Sequence, residues 1–435
     1  MKSARYLAVE LLNKTFVKGS FSNIQLNHGL SRENLSDRDK KLCTLIYYGV
    51  IERKITLDHI IGGFYQKGID KLDVNVLNIL RCGVYQLLYA DSIPDNAVVN
   101  ESVELTKKFK KASASGLVNA ILRNFIRQGK NFPVPMDILN SSSILYSAPI
   151  WLVDSLCGDY GIEKMTDLLS DAVEKPPITL RRNTVRCSEE ELFNALGELK
   201  AEKDEKIPCC YLLKGGDPTA TEAFEKGYFH VQDRASQLCC MALNPCENDR
   251  VLDVCSAPGG KTFTMAEMMN GKGEIYAFDL HENRVKLIKN GAVKLGLDNI
   301  KAMTGDASVF NPELPKFSKV LCDVPCSGVG AIRRKPEIKY KEESDFDNLP
   351  EIQYKILENA LNYLEVGGEL VYSTCTLRKE ENDEVIDKLL ENHPELEGVG
   401  FLEELGEPFG TYKASLFPMH FGSDGFFVSK VRKVR

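Results

Sequence analysis

Residues 250–269, RVLDVCSAPGGKTFTMAEMM, decide how the C-terminal half of the chain folds. Val251, Leu252 and Val254 form a short apolar run that reads as a buried strand. Pro258, Gly259 and Gly260 break it, and apolar residues then return at helical spacing. Strand, glycine turn and helix open an α/β unit. The same alternation continues outward, with GEIYAFDL (273–280) leading into HENRVKLIKNGAVKLG (281–296). NIKAMTGDA, SKVLCDVPC, EIQYKILENALNYL, GGELVYSTCT and FFVSKVRKV follow in order. This spacing predicts a Rossmann-like, parallel, doubly wound sheet over residues 236–435.

In open α/β sheets, ligands sit beyond the carboxyl ends of the strands. Reactive residues gather at those ends here: Cys255, Ser256, Ala257, Pro258, Gly259, Gly260 and Lys261 after the first strand, then Asp279, Asp306, Asp323 with Cys326, and Cys375. The glycines allow close approach of a ligand, and the helix start offers free N–H groups to an anion. The loop lacks both the GxGxxG spacing of a dinucleotide site and the ending of a P-loop. Asp279 lies 20 residues beyond Gly259, where an acid takes ribose hydroxyls. A ribose acid without a diphosphate grip points to S-adenosylmethionine.

The chain holds 13 cysteines, an odd count with no CxxC pair, so neither a zinc site nor a disulfide framework is expected. Cys326 and Cys375 are placed for other work. Carbon 5 of a pyrimidine is a poor nucleophile until a thiolate adds to carbon 6. The ring then takes a methyl group, and the thiol leaves once the carbon 5 proton has been removed. That cycle needs an activated cysteine, a hydrogen-bonding group at the ring nitrogen and a second group for release. Cys375, Cys326 and Asp323 are the right types. The residues alone do not rank the two thiols.

The N-terminal part differs. Residues 1–130 carry 20 Lys and Arg against 12 Asp and Glu, whereas the remainder carries 35 against 50. A basic front on an acidic body suggests a module that meets a polyanion. Its apolar residues recur at helical spacing, with breaks expected at Gly62-Gly63, Pro94 and Gly129 and an N-cap at Ser36 in SDRD. Residues 131–150 read as a linker, and 151–235 as a small α/β domain. KKFKK (107–111), IRRKP (332–336) and LRRNTVR (180–186) are candidate contacts for nucleic-acid phosphates. The six histidines, His28, His59, His230, His281, His393 and His420, are scattered and read as structural or surface residues. With 43% hydrophobic residues and no apolar run long enough for a bilayer, the expectation is a multidomain cytoplasmic protein without a membrane partner.

Taken together, VLDVCSAPGGKT, DVPCSGVGAIRRKPEIK, VYSTCT and GSDGFFVSK resemble the Fmu/Sun family of RNA cytosine-C5 methyltransferases. VQDRASQL, RRNTVR and YSAPIWLV are similar to further segments of that family. DRDKKLCTLIYYGVIERKITLD and GLVNAILRNFIR resemble the helical RNA-binding domain of the antitermination factor NusB. The combination resembles the bacterial RsmB-type layout, which implies a monomeric enzyme forming 5-methylcytosine in 16S ribosomal RNA and helping ribosome biogenesis.

The resemblance implies that Cys375 is the nucleophile and Cys326 the thiol assisting release. It implies that residues 255–261, Asp279, Asp306 and Asp323 line the cofactor, with Asp279 on the ribose and Asp306 on the adenine amino group. Asp323 would stand between cofactor and cytosine, Lys261 beside that carboxylate or the base, and Arg284 would be a further cofactor contact. Three rivals remain. Transfer RNA is an alternative substrate, although the helical front favours ribosomal RNA. A non-catalytic assembly factor would be expected to have lost Cys375 or Asp323. A DNA methyltransferase attacks with its Pro-Cys thiol and needs no counterpart of Cys375.

Overall fold

The computed structural model describes residues 2–18 and 22–435. The chain divides into two compact units, Met1–Glu174 with Ile332–Lys341, and Lys175–Ala331 with Glu342–Arg435.

The first unit is helical: α1 (Ala4–Lys18), α2 (Ser22–Arg32), α3 (Asp37–Glu52), α4 (Lys54–Phe64), α5 (Val74–Tyr89), α6 (Asp95–Lys108), α7 (Ser115–Arg127), α8 (Ile138–Tyr146) and α9 (Ile150–Asp171). The Ser36 hydroxyl accepts the Asp39 N–H at 3.1 Å, the expected N-cap of α3. α5 is apolar on nearly every face, which marks a central helix, and Val76 and residues 78–87 along it are buried. Its one buried cation, Arg81, binds both carboxylate oxygens of Asp58 at 2.6 and 2.7 Å. Such pairing is the condition for burying a charge. The break expected at Gly62-Gly63 falls one residue later, since α4 ends at Phe64 and the Tyr65 N–H donates to the Gly62 carbonyl. The segment read as a linker contains α8.

Ile332–Lys341 is part of this unit. Arg333, 5% exposed, reaches both oxygens of Asp171 at 2.8 Å. The fully buried Lys339 donates to the Glu52 carbonyl at 2.8 Å, and burial pulls its ammonium down to about 7. The Tyr340 hydroxyl donates to the Ile51 carbonyl at 2.5 Å, and Glu337 accepts from the Ser22 N–H and hydroxyl. Arg333 is therefore taken up inside the protein and does not face phosphates, contrary to the reading of IRRKP.

The second unit contains β1 (Ile178–Arg182), α10 (Glu189–Leu196), β2 (Ala201–Lys203), β3 (Cys210–Leu213), α11 (Glu222–Glu225) and β4 (Phe229–Val231), whose strands form a sheet in the order β2-β3-β1-β4 with antiparallel neighbours. Arg181 on β1 is buried against Glu267 at 3.1 Å, and Arg182 donates to the Cys187 carbonyl. LRRNTVR thus spends these two arginines on packing and does not offer them to RNA.

α12 (Arg234–Leu243), β5 (Arg250–Asp253), α13 (Gly260–Met268), β6 (Glu274–Asp279), α14 (Glu282–Leu295), β7 (Ile300–Thr304), β8 (Phe317–Asp323), α15 (Leu349–Leu361), β9 (Leu364–Thr374), α16 (Asp383–Asn392), β10 (Leu396–Gly398), β11 (Lys413–Leu416), α17 (Pro418–Phe421) and β12 (Phe426–Lys433) complete it. The main sheet runs β10-β12-β9-β8-β5-β6-β7, with β11 on β12. Strands β9, β8, β5, β6 and β7 are parallel, as expected. β12, β10 and β11 pair antiparallel, so the sheet is mixed and not purely parallel. Among the described residues no helix is long and apolar enough to cross a membrane.

Candidate active site

The turn after β5 is built on Gly259, whose φ of +114° suits glycine alone and whose Cβ would lie 2.4 Å from the Phe263 ring. Ser256 closes the turn from below, since its N–H and hydroxyl both donate to the Phe278 carbonyl, at 2.7 and 2.8 Å. Ser256 and Ala257 are buried, Cys255 is half-buried and Pro258 is exposed. Burial pushes the Cys255 thiol up. Beneath the turn, Thr262 donates to the buried Asp253 at 2.7 Å, and burial lifts that carboxyl to about 7.

Asp279 ends β6, is 3% exposed and accepts the His281 N–H at 3.1 Å. Arg284 spans the two loops: one guanidinium nitrogen is 3.1 Å from Asp279 and another donates to the Ala257 carbonyl at 2.8 Å. Asp306 lies on the exposed loop after β7 and accepts from the Ser308 N–H and hydroxyl, bonds that hold its carboxyl below the usual range. A cleft of about 280 Å³ opens there, lined by Val254, Phe278, Gly305, Asp306, Phe310 and Asn359.

The remaining four candidates come together at β8 and β9. Lys261 donates to one Asp323 oxygen and Ser373 to the other, both at 2.8 Å. Burial alone would lower the Lys261 ammonium, but the Asp323 charge outweighs it and the pKa stands raised. The same ammonium lies 5.0 Å from the centre of the Phe426 ring. The sulfurs of Cys326 and Cys375 are 3.2 Å apart, and both residues are half-buried. The bond to Cys375, with burial, pushes the Cys326 thiol well above its ordinary value, which favours a proton on Cys326.

A polar layer fixes the two cysteine loops. The Ser327 hydroxyl lies 2.7 Å from that of Thr376. The Ser327 N–H and the Gln353 amide both donate to Glu381 at 2.9 Å. The Gly330 N–H donates to the Cys375 carbonyl at 3.0 Å, and a Cβ on Gly330 would meet the Gly425 carbonyl at 1.9 Å. Sequence reasoning missed Ser373, Phe426, Gln353 and Glu381. Ser373 and Phe426 sit inside the VYSTCT and GSDGFFVSK motifs, which was the available signal. Gln353 and Glu381 carried none.

Comparison with known proteins then decides the lineage. Residues 240–432 match the model described as 16S rRNA methyltransferase RsmB/F, residues 2–127 the NusB family, and residues 148–218 the ferredoxin-like domain of RsmF/B-like methyltransferases. The probable ribosomal RNA small subunit methyltransferase B of Bacillus subtilis (strain 168) is 36% identical over 442 residues, 99% of each chain. The chain belongs to the RsmB/F family of 16S rRNA methyltransferases. Among solved structures, PH0851 aligns with a TM-score of 0.82 at 24% identity, over 100% of this chain and 99% of that one. A methyltransferase homolog protein from Pyrococcus horikoshii aligns with a TM-score of 0.60 at 28% identity, covering 67% of this chain and 97% of its own. The expected architecture, a NusB-like helical domain, a small sheet domain and a Rossmann-like methyltransferase domain, is that of this family.

Proposed function

We propose that this RsmB/F-family enzyme methylates carbon 5 of a cytosine in 16S ribosomal RNA, with S-adenosylmethionine as methyl donor and Cys375 as covalent nucleophile. The observation that carries the reading is the pairing of Cys375 with Cys326 at 3.2 Å, on loops that follow the strands carrying Ser373 and Asp323, beside Lys261 of α13, which holds that carboxylate.

The residues fit such a donor. The Gly259 turn and the start of α13 offer backbone N–H groups to a carboxylate. Asp279 offers acceptors to ribose hydroxyls, and the cleft beside Asp306 takes a flat base. Arg284, bridging Ala257 and Asp279, sets the distance between these two loops. When bound, the donor supplies an electrophilic methyl group on a sulfonium.

This chain's own groups do the rest. Cys375 as thiolate adds to carbon 6, leaving carbon 5 electron-rich for methylation. Asp323 and Lys261 present an acceptor beside a donor, which matches the amino and ring-nitrogen edge of cytosine. Once the Cys375 charge is spent in the new bond, the Cys326 proton loses the partner that held it. Cys326 can then yield that proton to solvent and, as a thiolate, take the one on carbon 5. The C–H electron pair re-forms the ring double bond, and the Cys375–carbon 6 bond breaks with its pair returning to the Cys375 sulfur. Reaching the base requires extrusion from any stack. The basic NusB-like front and the small sheet domain position the RNA.

Two variants test the roles. Cys375→Ala is expected to abolish transfer of labelled methyl groups to 16S RNA. Cys326→Ala is expected to attack but release slowly, so a protein–RNA adduct accumulates on denaturing gels. An adduct from Cys375→Ala instead would exchange the two assignments. Mapping 5-methylcytosine in RNA from cells lacking the enzyme tests the substrate, and a loss confined to transfer RNA would overturn the ribosomal reading.

A further inference from the structure

Helix α4 ends in a glycine pair that its backbone does not require. Gly62 and Gly63 lie inside the helix, and neither has a positive φ. The pair lies in the last turn of α4, where no positive φ calls for glycine. Crowding does not explain it either. A Cβ on Gly63 would meet no atom within 4 Å, and one on Gly62 only a methyl of Ile69 at 3.9 Å, an ordinary contact. The space left open belongs to a cleft of about 500 Å³ between α4 and the segment that follows α7.

The walls of that cleft suit a flat, partly polar ligand. His59, Phe64 and Phe132 contribute rings, with His59 and Phe132 packed edge to face at 6.3 Å. The ring nitrogen Nε2 of His59 lies 2.7 Å from the Pro133 carbonyl, which fixes the imidazole. Gln128 and Asn131 are exposed at the rim and carry amides able to pair with base edges. Arg123 and Arg127, exposed on the last turns of α7, lead up to Gln128, within a region carrying 20 basic against 12 acidic residues. Rings, edge-reading amides and flanking cations are the set with which proteins hold an unstacked base of single-stranded RNA.

We propose that the cleft formed by Gly62, Gly63, His59, Phe132 and Gln128 binds one unpaired nucleotide of the RNA, as an anchoring site separate from the cysteine centre. The glycines keep the floor open, the rings stack on the base, and the arginines meet the flanking phosphates. This assignment rests on the reading of the enzyme as an RNA methyltransferase, and its test uses a different readout.

The experiment measures binding of fluorescein-labelled hexamers (oligo-C, oligo-U, oligo-A) and of a blunt RNA duplex by anisotropy, using the full-length protein. Gly63→Leu should project into the cleft, since its Cβ meets no atom within 4 Å, and Phe132→Ala should remove a wall. Each is expected to weaken the best-bound hexamer about tenfold or more. Duplex binding should change less than twofold, and circular dichroism should show Gly63→Leu folded. Methyl transfer to 16S RNA is followed in parallel, with an expected rise in KM and unchanged kcat. Hexamer affinity within twofold of wild type for folded Gly63→Leu and Phe132→Ala overturns the proposal, even if wild-type methyl transfer is intact. Equal losses on hexamer and duplex would also overturn it, because the cleft would then not be reading an unstacked base. Failure of the wild type to methylate any RNA would count against the enzymatic reading and leave the binding result to decide the cleft.

Discussion

Ser373 shows how a neighbour without chemistry of its own sets up a reactive group. It stands directly opposite Asp323 in the parallel β8–β9 pairing, and its hydroxyl donates to that carboxylate at 2.8 Å while Lys261 holds the other oxygen. Both oxygens are thereby held in place, so that in the proposed reaction no reorganisation would be needed. A hydrogen bond to a charged group contributes about 1.5–3 kcal/mol, and about 1.4 kcal/mol corresponds to a factor of ten in rate. Ser373→Ala is therefore expected to lower kcat roughly tenfold in single-turnover methylation, with RNA affinity unchanged. What was legible at this scale is placement: the sequence pattern puts Asp279 at the end of a strand and Cys375 just after one, where the structure has them. A residue whose part depends on a partner distant in sequence was not legible. Gln353 and Glu381 buttress Ser327 from 26 and 54 positions away, and nothing in their local sequence marks them.

Among the elements, β12 departed from expectation. Its alternation identified a strand, but side-chain period carries no direction, and the rule linking strand–helix alternation to parallel pairing fails for a chain end that returns as a hairpin partner. Two ion pairs to Glu369 fasten it, and a third ties the same carboxylate to β8. Glu369 on β9 meets Lys319 of β8 at 2.6 Å, Lys430 of β12 at 2.9 Å and Arg432 of β12 at 2.8 Å. Burial would raise the Glu369 carboxyl, but the hydrogen bonds from Lys319, Arg432 and Lys430 outweigh it and bring it down to about 2. Since the folded-state value lies below the unfolded one, the stabilisation is present above pH about 4.5 and is lost as the pH falls through about 2. Glu369→Gln is expected to cost roughly 2–3 kcal/mol in urea unfolding at pH 7. The gap to wild type should narrow steadily below pH about 4.5. A gap independent of pH would mean that packing, and not charge, holds β12.

At the scale of the whole molecule, composition gave the right contrast between a basic front and an acidic body but the wrong use for some of its charges. IRRKP is as basic as any phosphate-binding stretch. What sequence does not reveal is that Asp171, 162 positions earlier, awaits Arg333, or that the Glu52 carbonyl awaits Lys339. The strand–helix alternation was readable because it repeats over nearly two hundred residues. The excursion of ten residues into the other unit was not, because it has no periodicity.

That excursion makes the polypeptide a natural split protein. The chain passes between its units at 174–175, 331–332 and 341–342, so a cut at the first junction removes one connection of three. A fragment starting at Lys175 still carries Ile332–Lys341, which belongs to the compact unit of residues 1–174 and packs Tyr340 on its core. Made alone, it is expected to aggregate. Made in the same cell as a tagged 1–174 fragment, it should be retained with that tag through purification and separate from it only on a denaturing gel. The hybrid gene would then tolerate a stop and restart at that point, whereas an ordinary pair of modules joined by a single tether would simply come apart.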